Sequence, residues 1–489
     1  MIRGRVALAA AALLIATAAE AHLNSPDVYL EESAGPWPIV IVLAAPPAVP
    51  GEARLEVRVA DAAADPSVRV RVQEIPPEGE TAAPGWREAK PSRADASLFV
   101  APMPIMTYGI WHARVEISGA RGTGAVELPF AAKLPSTGAM ETRLAVTLAA
   151  LTLVLLVSFW WIVRALVVDA RRGVPRRGRA AWLVPSIATA LFVATLAAHM
   201  FSWYAIHESL RRRTFRGVRG EARVAGGSAI AGRRASIELA VRDGRGDPVE
   251  DGALDHGKAM HLIVTRSPDM SYFLHAHPRA TGPGTFSFSL TAPRPGAYVY
   301  FADVLRPTGV TDTVTGTLDV GEGVPSSAAV LDDPDDAEAS APPVGGATGM
   351  VSGAGGGFTM RRLDAGGPFP TRTLQDLAFE LEAPDGRPVA ALQPYMGMTG
   401  HLLIVRDDVA VFAHVHPTGT LAGRMAMPAS HATMTPEEHA KMMAAMAERI
   451  DGARVSFPYG FPSAGRYRLF VQVRHEGTVR TGVFDVDVR

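Results

Sequence analysis

The sequence predicts a mainly β protein: three exported β-sandwich modules joined to a two-helix transmembrane hairpin. Three observations predict this. Short β-rich runs broken by Pro/Gly turns fill both ends of the chain. Two long apolar stretches separated by an Arg-rich segment occupy the middle. The N-terminus has a basic start, a short apolar core and an A-x-A end, the pattern of a secretory signal. At 489 residues the chain exceeds one ordinary domain of ~100–200 residues. Its 48 Lys+Arg against 49 Asp+Glu lack the basic excess that gripping nucleic acid requires. Mean hydropathy is +0.12, high for a wholly soluble enzyme. Cysteine is absent, which excludes disulfides, thiolate zinc sites, thiol nucleophiles and blue-copper centres.

In chain order, residues 1–21 read as the signal peptide: MIRGR, the apolar run Val6–Ala19, then Ala19-Glu20-Ala21. Cleavage after Ala21 leaves His22 as the first mature residue. Residues 22–137 alternate runs such as WPIVIVLAA, ARLEVRVA and IWHARVEIS with turns, a sandwich of immunoglobulin or cupredoxin-like type. Residues 143–168 and 180–205 are each long enough to cross a ~30 Å hydrocarbon core. Between them, 169–179 carries Arg171, Arg172, Arg176, Arg177 and Arg179, a cytoplasmic loop by its charge. Export of the first module then places both soluble parts outside. In a Gram-negative cell that means the periplasm, with the anchor in the inner membrane.

Residues 220–489 hold a divergent internal repeat. Copy one (220–321) contains MHLIVTRSPDMSYFLHAHP and copy two (358–489) contains GHLLIVRDDVAVFAHVHP. A His opens one strand (His261, His401), and Phe-x-His-x-His-Pro follows on the next (His275 and His277, His414 and His416). Each copy reads as a separate sandwich. The intervening 322–357, rich in Pro, Gly, Ala and Asp, reads as a flexible acidic linker.

Ten of the fourteen histidines fall after residue 250. Positions i and i+2 of a strand share a face, so each His-x-His presents two imidazoles side by side. The strand–turn–strand connection brings the opening His alongside, and three imidazoles suit copper or zinc. His256 and Met260 stand near the first cluster, Met396 and Met398 near the second. Copy two also has an insertion, 424–452, with six of the 17 methionines and with His431 and His439. Thr435-Pro436-Glu437-Glu438 starts a helix on which His439, Met442, Met443 and Met446 form one stripe. Thioethers are soft ligands that select Cu(I), although such stripes are also common core. A further site is expected at the mature N-terminus, where the amine and imidazole of His22 chelate with His112 as partner. His199 and His207 flank the outer end of the second span.

A mature His start on an exported sandwich is similar to the periplasmic copper-resistance and copper-chaperone family. The layout of sandwich, hairpin and sandwich resembles the sandwich-bearing chain of the copper membrane monooxygenases. That resemblance implies metal ligation by His22 and His112, with Arg114 standing where a second partner His would be. FLHAHP and FAHVHP are similar to exported domains associated with heavy-metal genes. The expectation is a membrane-anchored metal-binding protein that sequesters or delivers copper, as Cu(I) or Cu(II), or zinc. Its partners would be metal ions, the membrane and other membrane or periplasmic metal-handling proteins. The alternatives are an oxygenase component and a surface interaction protein with structural histidines. No hydrolase triad, phosphate loop or deaminase signature points to another enzyme.

Overall fold

The computed structural model describes residues 22–23, 27–46, 49–60, 65–75, 85–132, 142–169, 180–214, 218–243, 246–250, 252–324, 331–345, 348–352, 357–364, 366–422 and 452–489. The signal segment, the basic loop and nearly all of the Met/His-rich insertion, including His431, His439, Met442, Met443 and Met446, lie outside them. The chain divides into a helical unit and a β unit.

The helical unit contains α1 (Thr142–Asp169) and α2 (Ala180–Thr214). The two touch through stacked Phe159 and Phe192, whose ring centroids are 4.9 Å apart. Leu183–Trp203 of α2 is long and apolar enough to cross a membrane, and Ala150–Leu166 of α1 is a shorter apolar stretch.

The β unit begins with a sandwich of a five-stranded and a four-stranded sheet. Its strands alternate buried and outward residues, as in Trp37–Ala44 and Gly109–Gly119. That alternation lets Trp37, Ile39, Ile41, Leu55, Val57, Trp111, Val115 and Leu128 fill one core between two sheets. The first repeat is likewise a sandwich of a four-stranded and a six-stranded sheet. In the second repeat one nine-stranded sheet folds over on itself, so Phe379 and Phe457 share a core with Ile404 and Leu469.

The two copies, expected to be separate, are packed face to face. The strands His261–Ser267, Tyr272–Ala276, His401–Arg406 and Val411–Val415 are buried along nearly their whole length rather than on alternate residues. One face of each sits in its own sandwich core, with Leu262 and Val264 in one repeat and Leu402 and Ile404 in the other. The opposite faces meet in a shared cluster of Ile263, Phe273, Phe301, Leu403, Val405, Phe412 and Phe470. Phe273 stacks on Phe470 at 4.1 Å, and Phe301 on Phe412 at 4.4 Å. These pairs are equivalent when the repeats are interchanged, so the junction is a pseudo-two-fold. Burial on both faces is why these strands read as continuous apolar runs.

The stretch expected to be a flexible linker also differs. Ala337–Ser340 adds a strand beside Tyr272–Ala276, and Thr348–Ser352 pairs with Thr478–Val488. Lys258 of the first repeat reaches Asp333 at 2.6 Å and Asp335 at 2.9 Å, while Tyr395 of the second donates to the Asp335 carbonyl at 2.7 Å. The acidic composition that suggests solvation instead supplies ion-pair partners. The described residues of the segment form a strap across both repeats.

Candidate metal centre

Within each repeat the opening-His strand pairs antiparallel with the His-x-His strand, placing Ile263 opposite His275 and Leu403 opposite His414. Alternation puts His261 on the same face as Ile263, and His275 and His277 on the same face as Phe273. The second repeat repeats this with His401, Leu403, Phe412, His414 and His416. Because Ile263, Phe273, Leu403 and Phe412 form the shared cluster, all six histidines point into the junction. They are 0–6% exposed, and together with His256 they make one buried nest of seven imidazoles.

The ring geometry is nearly the same in the two copies. His261–His275 centroids are 5.3 Å apart and His401–His414 5.4 Å; His275–His277 are 4.7 Å and His414–His416 4.6 Å; His261–His277 are 5.0 Å and His401–His416 5.2 Å. Two groups bring their ligand nitrogens within 4.8 Å of one another: His261, His275 and His277, and His256, His401 and His416.

The first group has the form expected before a metal binds. His261 Nδ1 and His275 Nε2 face each other at 3.1 Å, and His277 Nε2 has no hydrogen-bond partner. Each ring is held by its other nitrogen: His261 Nε2 by the Asp255 carbonyl at 3.3 Å, His275 Nδ1 by Gln472 Oε1 at 2.7 Å, His277 Nδ1 by Asp336 Oδ1 at 2.9 Å. The Gln472 amide nitrogen donates to Thr481, so its oxygen accepts from His275 and leaves the Nε2 lone pair facing inward. An outer N–H on an oxygen with an inner nitrogen toward a common point is how metal-ligating imidazoles are oriented. Burial pushes Asp336 up to about 6, against hydrogen bonds from His277 and from the strap backbone, so at neutral pH it is chiefly an ionised acceptor. Asp333, also within reach of His277, is taken by Lys258.

The second group differs from the expected trio of His401, His414 and His416. His414 turns its Nδ1 toward Asp303 Oδ2 at 3.4 Å, and His256 of the first repeat takes its place. His256 lies 5.0 Å from His416 and 5.9 Å from His401, ring to ring, with its Nε2 3.1 Å from Asp255 Oδ1. Neither nitrogen of His401 or His416 has a hydrogen-bond partner.

Burial holds His275, His277, His401 and His416 well below the ordinary imidazole range, and lowers His414 to about 3. All are therefore neutral at physiological pH, with lone pairs available to an ion.

The other expected ligands fall elsewhere. His112 Nε2 lies 3.1 Å from the Thr308 carbonyl of the first repeat, and His112 joins no ligand group among the described residues. His22 enters a two-residue parallel strand beside Val411–Phe412 of the second repeat. The His22 backbone thus lies beside the second repeat, while the His112 ring meets the first. Met396 and Met398 are buried in the turn Tyr395–Met398. His199 is exposed on α2. Sequence reasoning missed Asp255, Asp303, Asp336 and Gln472. For Asp303 and Gln472 a signal was available, since Phe301-x-Asp303 and Phe470-x-Gln472 repeat the spacing that aims Phe273 and His275.

A family described as "Domain of unknown function (DUF8832)" has a model that matches residues 217–322 and 356–489, the two repeats. No curated protein matches the chain. Among solved structures it is similar to the Escherichia coli adhesin FdeC, with 13% identity, 94% of this chain and 100% of that one covered, and a TM-score of 0.15. It is also similar to E. coli alpha-2-macroglobulin, with 9% identity, 94% of this chain and 23% of that one covered, and a TM-score of 0.21. TM-scores this low carry nothing about this chain's function.

Proposed function

We propose that the chain is a membrane-anchored, exported metal-binding protein that sequesters copper in the histidine nest between its two repeats. The observation that carries this reading is the first triad, whose three imidazoles are each fastened from outside by an oxygen acceptor and aim their other nitrogens inward. A purely structural role is the poorer fit. It would leave six buried imidazole nitrogens on His277, His401, His414 and His416 without partners, at roughly 1–3 kcal/mol for each unsatisfied group. Nitrogen donors bind Cu(II) ahead of Zn(II), which favours copper where both are available. Burial of the whole set favours retention over rapid handover. Helix α2 supplies a segment long and apolar enough to anchor the protein, with the β modules on the periplasmic side if the cell is Gram-negative.

Full-length protein purified in detergent is expected to hold copper through repeated chelator washes. The variant with His401, His414 and His416 all changed to Ala should lose part of it, and further change of His261, His275 and His277 should abolish binding. Retention of wild-type copper by the six-fold variant, with its fold verified by circular dichroism, would refute the assignment.

A further inference from the structure

The two sites are built by the same turn, and the residue at its corner differs. In the first repeat Asp255 and Lys258 close a tight turn by reciprocal backbone hydrogen bonds of 2.8 and 2.9 Å; in the second Tyr395 and Met398 do so at 2.8 and 3.1 Å. The first corner residue is His256 in one and Met396 in the other, with φ of 52° and 49°, and each is followed by a glycine at φ 81°. A left-handed non-glycine residue costs about 1–3 kcal/mol, and such strain concentrates where a side chain must be aimed. His256 shows where this corner aims: across the junction, onto His401 and His416 of the other repeat.

The pseudo-two-fold carries the argument to Met396. Interchange of the repeats turns Phe273–Phe470 into Phe301–Phe412, and His275–Gln472 into Asp303–His414. The same operation turns His256 over His401 and His416 into Met396 over His261 and His277. Met396 is 6% exposed, so its thioether is inside the protein.

We infer that Met396 supplies a thioether ligand to the first triad, His261, His275 and His277, from the opposite repeat. This rests on the proposed metal-binding function and makes the two sites chemically unlike. The first is three imidazoles and a sulfur, a soft set suited to Cu(I). The second is imidazole only, suited to Cu(II) or Zn(II). Each site then takes a ligand from both repeats, so ion binding ties the repeats together.

The test uses full-length protein in detergent loaded anaerobically with Cu(I), with affinity read by competition against bathocuproine disulfonate and sulfur ligation read by X-ray absorption. Wild type is expected to show copper–sulfur scattering. Met396→Leu, which keeps the volume, should lose that scattering and weaken Cu(I) binding by about tenfold or more, with Zn(II) binding unchanged. Met398→Leu should retain both signals. Met396→His should restore tight binding without sulfur scattering. Sulfur scattering that survives in Met396→Leu, or copper bound by wild type with no sulfur scattering, overturns the inference and leaves the metal-binding reading in place. Wild type that binds no copper overturns both.

Discussion

The two halves of the nest carry one motif but are braced differently. Around His261, His275 and His277, every ring has one nitrogen on a protein oxygen: Asp255, Gln472 or Asp336. Around His401 and His416 neither ring has a partner at either nitrogen, and the third imidazole, His256, arrives from the other repeat. The cause lies in the surroundings, since the repeats share the histidines and differ in their supports. Opposite His401 stands Gln472, which reaches across to His275; opposite His261 stands Asp303, which reaches across to His414. The strap strand that brings Asp336 hydrogen-bonds to the His-x-His strand of the first repeat. The first triad is therefore organised before an ion arrives. Under the proposed function the second would gain its missing contacts from the ion, and only while the repeats are docked.

The largest way to break this contrast is to loosen the junction. Phe301→Ala removes one of the two stacked aromatic pairs from a fully buried position and should cost about 3–5 kcal/mol. Urea unfolding would measure the loss. Under conditions where the variant stays folded, copper should be lost first from the second site, where neither nitrogen of His401 or His416 is held by the protein. Equal loss from both sites would show that the first triad is no more self-sufficient than the second.

Acid probes what the halves share. His414 titrates at about 3 when folded and at 6.5 when unfolded, because burial disfavours its charged form. Its neutral form therefore stabilises the fold fully above 6.5. That contribution falls with pH through the window down to about 3, by about 2 kcal/mol at pH 5. Metal-free protein should melt at a lower temperature at pH 5 than at pH 7.5, and His414→Gln should shrink the difference. An unchanged pH dependence in that variant would mean that the ring is not buried neutral.

A finer distinction comes from Asp336→Asn, which weakens the outer support of His277 alone. Removal of such a partner reduces metal affinity about 10–100-fold. The neutral amide should give the low end of that range at the first site, and none at the second, in chelator competition. A matching loss at the second site would show that the strap acts on the junction as a whole.

Much of this was legible beforehand. The β content, the apolar helices, the duplication and the placing of each opening-His strand beside its His-x-His strand all follow from local patterns. The allegiance of His256 was not, because the residue lies beside the first cluster in sequence and serves the second in space. Composition misled over 322–357, where Asp333, Asp335 and Asp336 look like solvated charge and instead bind Lys258, Arg474 and His277. The apolar runs HLIVTRS and HLLIVR already held the hint that these strands are covered on both faces.

What the chain alone determined is which side chains share a face, because the two-residue period of a strand is a property of its backbone. What only the tertiary structure decided is what that face meets. Docking of two sheets depends on apolar area and ring stacking summed over residues more than a hundred positions apart, and no local pattern encodes that sum. Seven imidazoles therefore converge in one buried nest where the sequence showed two separate clusters.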